Sequence, residues 1–282
     1  MIIDAHHHLW QYNKGYKWLD AEPGLAPLRR SYTVDDLVAV TGPAGVDKTV
    51  LVEAGLGKTG EVAEFLALAA TSDTIAGVVG WADIRDPGIG RTLAEYRELP
   101  GADKLVGVRE QLQSDSFPAD CSTAEVVRGV QAVADAGLTF DLVLRVEQLP
   151  YAAKLAGAVE DTLFILDHLG KPQIGADGFA AWREAIAPLA EHPHVVAKVS
   201  GLVTEADWEK WTIADLRPYF ECAVETFGPE RLMWGSDWPV CTLAAEYKRV
   251  LDVTGELLDE FAPTERRRIL GGTAAEVYGL EG

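Results

Sequence analysis

Short apolar runs alternate with longer amphipathic stretches along the whole chain. The short runs lie at 2–6, 48–54, 75–83, 105–111, 140–145, 163–168, 195–200 and 232–237. They are rich in Val, Ile and Leu, and most do not alternate with polar residues, which is how strands covered on both faces read. Between them, 60–71, 123–136, 179–191, 213–226 and 243–260 read as helices. The stretch at 123–136 shows its boundaries well. Ser122 or Thr123 can cap it, Glu125 falls in the first turn, and Gly137 ends it. A further helix is expected to begin near Thr33, after an irregular segment containing Pro23 and Pro27 that would lie over the mouth of the fold.

Eight strands alternating with helices predict an α/β fold, a (β/α)8 barrel forming one domain over 1–282. An open doubly wound sheet is the alternative, weakened because no GxGxxG follows the first strand. "GLGKTG" at 55–60 is not a phosphate loop, since Val52 stands where that pattern needs glycine.

Composition narrows the function. With 282 residues, 48% of them hydrophobic, the chain can bury a large core. A net charge of −19 makes it a poor nucleic-acid binder. No run of about 18 uncharged apolar residues marks a membrane span, and the first residues do not read as a secretory signal. Cys121, Cys222 and Cys241 lie far apart without CxxC spacing, which predicts a reduced, cytoplasmic protein. A homo-oligomer is compatible with this composition.

The chemistry begins at "DAHHHLW". Strict alternation puts His6 and His8 on one side with Asp4 below them, and His7 on the other. At the C-terminal end of a first barrel strand they would face the active-site mouth, where two imidazoles can grip one divalent ion. HxH alone is a weak signal. It gains weight because His168 ends the sixth apolar run in "LDHLGKP" and Asp237 ends the eighth in "WGSDWPV". Singly these read as a core histidine and a turn aspartate; in a barrel all four converge. Zinc accepts such a ligand set and can hold a reactive water. A metal-free version is equally coherent, with Asp237 as general base and the histidines orienting water.

An ester oxyanion needs a positive partner. Arg109, Arg145, Lys171 and Lys198 lie in or just after apolar runs. Ordinary salt bridging is their alternative fate. Arg109 and Arg145 are expected to bind substrate carbonyl or hydroxyl groups, with Lys198 as an electrostatic partner. Trp10, Trp81 and Trp238 could pack on a sugar ring, although plain packing is the simpler role. Cys241 reads as a small buried residue.

Together "DAHHHLW", "GVREQLQ", "GLTFDLVLR", "DHLGKP", "AKVSGLVTEADW" and "FGPERLMWGSDWPV" resemble the amidohydrolase superfamily. The match is to the amidohydrolase-2 branch, which holds sugar-acid lactonases and pyrone-dicarboxylate lactonase. "GGTAAEVYGL" matches the usual C-terminal end, so the resemblance spans nearly the whole chain. It implies a distorted barrel that opens a sugar-acid lactone, such as an L-fucono-, L-rhamnono- or galactonolactone, to the hydroxy acid. It also implies at most one divalent metal, because two-metal members use a carboxylated lysine and further histidines where this chain has Arg109, Glu110 and Arg145. Many relatives carry histidine where this chain has Glu110. The competing readings are pyrone-dicarboxylate hydrolysis, metal-assisted decarboxylation of an aromatic or unsaturated acid, amide hydrolysis, and a barrel without catalysis.

Overall fold

A computed structural model describes residues 1–114, 117–175 and 177–280. Eight strands pair in chain order, all parallel: β1 Ile3–His7, β2 Lys48–Val52, β3 Ile75–Trp81, β4 Leu105–Glu110, β5 Thr139–Leu142, β6 Phe164–Leu166, β7 Val195–Val199 and β8 Leu232–Trp234. A helix follows each: α1 Val34–Ala44, α2 Thr59–Thr71, α3 Ile89–Arg97, α4 Ala124–Asp135, α5 Leu149–Ala158, α6 Phe179–Ala190, α7 Ile213–Phe227 and α8 Tyr247–Leu257. This is the (β/α)8 barrel that the apolar rhythm predicts. The strands are buried on both faces, one side packing on the helices and the other filling the barrel.

Several apolar runs outlast their strands. β5, β6 and β8 are only four, three and three residues long. The apolar character continues because the loops that follow are themselves buried. Thr33 caps α1 through a capping box with Asp36. Before it, three short 3₁₀ turns at Tyr12–Lys14, Lys17–Asp20 and Pro23–Leu28 form the long first loop. Thr123 occupies the cap position of α4, but its side chain makes no capping bond.

The barrel closes without a regular β8–β1 ladder. Instead, the segment after β8 pairs with the end of β1. The Asp237 N–H donates to the His6 carbonyl at 2.8 Å, and the His8 N–H to the Trp238 carbonyl at 2.7 Å. Here strict alternation fails. Ile3 and Ala5 join the apolar cluster inside the barrel, and a register shift follows between Asp4 and His7. Asp4 therefore does not lie beneath the histidines. Its carboxylate accepts from Ser236 N (2.8 Å) and Oγ (2.6 Å), from Tyr247 Oη of α8 (2.9 Å) and from His6 N (3.1 Å). The bulge lets an acidic clamp and the His6 imidazole share one short strand, with His8 just beyond its end.

Inside the barrel the filling is layered. Val50, Val52, Val79, Ile165, Val196 and Met233 form an apolar layer closed by Tyr278. Above it lies a buried ionic layer that carries the site.

Candidate active site

The ionic layer runs from strand to strand. Arg109 of β4 donates Nε to Glu53 Oε1 at 2.7 Å, Nη2 to the Glu53 carbonyl at 2.6 Å and Nη1 to Asp167 Oδ2 at 2.9 Å. Lys198 of β7 bridges Asp167 Oδ1 (3.0 Å) and Asp141 Oδ2 (2.5 Å). Tyr278 Oη also donates to Asp141 Oδ2, at 3.2 Å. All five charged groups are buried. Charges so deep survive only when paired. Burial raises Asp167, but Lys198, His6 and Arg109 outweigh it and hold the carboxyl well below the usual range.

His6 rests on this layer. Its Nδ1 is 3.2 Å from Asp167 Oδ1 and 3.2 Å from Lys198 Nζ, while its Nε2 is 3.3 Å from Arg109 Nη1. Arg109 and Lys198 can only donate, so whichever ring nitrogen lacks a proton accepts from one of them; with the proton on Nδ1 toward Asp167, Nε2 accepts from Arg109. His8 Nδ1 faces the Val52 carbonyl at 2.9 Å and, when it donates there, leaves Nε2 unprotonated. The two Nε2 atoms stand 3.2 Å apart. Asp237 Oδ1 lies 3.8 Å from the first and 3.5 Å from the second, and 3.9 Å from His168 Nε2. His168 Nδ1 is 2.8 Å from Ser200 Oγ.

The loops are bent to make this convergence. His168, Leu169 and Lys171 have φ of 54°, 50° and 53°, and Asp237 has φ of 57°. Left-handed backbone is costly for such residues and persists only where the surroundings enforce it. Trp182 of α6 donates to the Leu169 carbonyl at 2.7 Å and pins the first bend. Gly201 and Gly235 leave the necessary room. A Cβ on Gly201 would sit 2.8 Å from His168 Nδ1, and one on Gly235 would sit 2.8 Å from His6 Cβ.

A cavity of about 580 Å³ opens over the site. His8, His168, Asp237, Arg109, Glu110, Trp81 and Lys171 line it, as do Trp18, Gln111 and Asp83. Lys171 forms a loose 4.0 Å pair with Glu205. Three expected substrate contacts lie elsewhere. Lys198 is fully buried beneath His6, because two carboxylates inside the barrel hold it. Arg145 is exposed three residues beyond the end of β5, beside a separate cavity of about 190 Å³. Trp10 is buried among Tyr16, Trp18 and Tyr32 and donates to the Arg30 carbonyl. Trp238 and Cys241 are likewise buried and do not line the cavity.

The sequence reading passed over Glu53 and Asp167, which hold Arg109, and Trp18, which forms part of the cavity wall. An isolated acid at the end of an apolar run was the available signal for Glu53 and Asp167. Trp18 had none, because its position depends on the irregular first loop.

The arrangement suits a single cation. His6, His8 and Asp237 present ligand atoms within 4.8 Å of one another, and so do His6, Asp167 and His168. In the second set Asp167 is already committed to Arg109 and Lys198. In the first, the two Nε2 atoms and a carboxylate oxygen face one point, with Arg109 Nη1 also 3.3 Å from His6 Nε2. Ligands at about 2.0–2.1 Å around tetrahedral zinc would be spaced much like the two imidazoles.

The amidohydrolase family profile matches residues 3–280, and the chain belongs to that family. It is 38% identical to an L-fucono-1,5-lactonase of Burkholderia multivorans, over 99% of this chain and 96% of the relative. An L-fucono-1,5-lactonase of Burkholderia ambifaria is 31% identical over 99% and 96%. The crystal structure of an amidohydrolase from Burkholderia multivorans with bound zinc superposes with a TM-score of 0.92, at 35% identity and 100% coverage of both chains.

Proposed function

We propose that the protein is a lactonase that opens the ring of a neutral sugar-acid lactone to the hydroxy acid. Relatives named L-fucono-1,5-lactonase across almost the whole chain support the reaction class. The observation that carries the mechanism is the convergence of His6, His8, His168 and Asp237 beneath the cavity.

Asp237 is the general base. Burial raises its carboxyl, but the surrounding imidazoles of His168, His8 and His6 outweigh that and hold it below the ordinary range, so it is ionised at neutral pH. It takes a proton from water as the water oxygen bonds to the lactone carbonyl carbon. The oxyanion that forms faces Arg109. Four of the five guanidinium N–H groups are engaged by Glu53, Asp167 and His6, which leaves one Nη2–H for the substrate. When the bond to the ring oxygen breaks, Asp237 returns its proton to that oxygen. His168, oriented by Ser200, holds the water or the carbonyl in line. His6, His8 and Asp237, with His168 beside them, would hold one divalent ion, zinc by donor type, which when bound makes water more acidic and polarises a carbonyl.

The charges lining the cavity are mixed, with Asp83, Glu110 and Asp237 beside Lys17, Arg85, Arg109 and Lys171. Arg109 is committed to two carboxylates and Lys171 faces Glu205. The choice of a neutral lactone over a dicarboxylate rests on the relatives named L-fucono-1,5-lactonase. The test is acid release from γ- and δ-lactones of sugar acids, with pyrone-dicarboxylate and amide controls, each with and without chelator. Release from a neutral sugar lactone above the spontaneous rate is expected. Release from the dicarboxylate alone would overturn the reading.

A further inference from the structure

Glu110 ends β4 at the cavity wall, 7% exposed. Trp81 Nε1 donates to its Oε1 at 2.9 Å, and the Gln111 N–H donates to the same oxygen at 2.8 Å. Trp81 is itself anchored, because its carbonyl accepts from Tyr96 Oη at 2.8 Å. Trp81 and Gln111 thus hold one oxygen, and the Ile84 N–H also pulls on the carboxylate. No side chain of the described residues donates to Oε2 within hydrogen-bond distance, and Glu110 lines the cavity. Two indoles, Trp18 and Trp81, stand in the same wall. A fixed acceptor beside aromatic faces suits a polyhydroxylated ring, whose C–H face packs on indole while a hydroxyl donates to the carboxylate.

We propose that Glu110 is a specificity-determining residue, its Oε2 accepting a hydrogen bond from one ring or side-chain hydroxyl of the substrate. A carboxylate in that position selects a hydroxyl over hydrogen and repels a substrate carboxylate. This rests on the lactonase reading and extends it to one substrate position. A plainer role, in which Glu110 only orients Trp81, makes a different forecast. Glu110→Gln keeps an Oε1 acceptor for Trp81 and Gln111 but turns the open acceptor into a donor.

The experiment compares wild type and Glu110→Gln on lactone pairs that differ by one hydroxyl replaced with hydrogen. Wild type should prefer the hydroxylated member at one position by about 10–100-fold in kcat/KM, and the variant should lose that preference there alone, mainly through KM. A uniform loss across all lactones, or preserved discrimination at every position, would overturn the proposal. Calorimetric binding of the matching hydrolysis-resistant sugar lactams separates the two readings. If wild type hydrolyses no lactone yet Glu110→Gln still abolishes hydroxyl-selective lactam binding, the lactonase reading fails and Glu110 keeps its role. If wild type binds hydroxylated and deoxygenated lactams equally, the role of Glu110 falls whatever the turnover.

Discussion

The carboxylate of Asp4 accepts both the N–H and the O–H of Ser236, at 2.8 and 2.6 Å, joining residues 232 positions apart in sequence. Ser236 precedes Asp237, so the clamp that closes the barrel also places the proposed general base. Asp4→Ala would leave buried groups on Ser236 and Tyr247 without their acceptor. The expected cost is about 3 kcal/mol or more, together with loss of activity. Chemical denaturation followed by circular dichroism reads it, and a midpoint equal to wild type would remove Asp4 from the closure.

Asp237→Asn should leave the fold intact and lower kcat by about a thousandfold, because an amide cannot take the proton of water. His168→Asn should also lower activity strongly, with smaller effect. Initial rates on the best lactone, with matched circular-dichroism spectra, decide both. Wild-type rates in either variant would reduce that residue to packing.

Lys198 neutralises Asp141 and Asp167 inside the barrel. Lys198→Met leaves the buried Asp141 without a cation and Asp167 with Arg109 alone, at a cost of about 3–5 kcal/mol. Adding Asp141→Asn should recover part of that loss. A double-mutant cycle with no coupling between 198 and 141 would contradict the pairing.

The convergence of His6 Nε2, His8 Nε2 and Asp237 Oδ1 predicts one bound ion per chain. Chelator-treated protein titrated with zinc in a calorimeter should reach a stoichiometry of one, and His8→Asn should weaken binding by at least about tenfold. Two ions, or none, would count against this ligand set.

Burial, helped by the charge of Glu53, pushes Glu110 up to about 7, against the pull of Trp81, Gln111 and Ile84. Arg109, its chain neighbour, is neutralised by Glu53 and Asp167. The native state holds this proton to higher pH than the unfolded chain. Its contribution to stability is therefore full below about 4.5 and is lost as pH rises through about 7. In activity the sign reverses, because hydroxyl recognition uses the ionised form. KM for the hydroxylated lactone should fall as pH rises through about 7, and should stay flat across that range in Glu110→Gln.

The barrel was legible because its period is local. Each buried parallel strand shows as an unbroken Val, Ile and Leu run, and each helix as an amphipathic stretch between them. His6, His8, His168 and Asp237 were legible for the same reason, since the C-terminal ends of barrel strands must meet at one mouth. The fates of Lys198, Arg145 and Trp10 were not. A cation in a strand reads alike whether it faces the cavity or lies sealed beneath it, and only the carboxylates brought from β5 and the end of β6 decide for Lys198. Arg145 depended on where β5 stops, and the apolar run continues past that point.

The sequence by itself determined the strand count, the order of elements and the four residues beneath the mouth, because these follow from periodicity and chain direction. Tertiary structure decided the bulge that turns Asp4 to Ser236, the approach of the His6 and His8 Nε2 atoms to 3.2 Å, and the commitment of Arg109 to Glu53 and Asp167. Each depends on partners far apart in the chain, and a buried charge or proton settles only when every neighbour that can pair with it is in place.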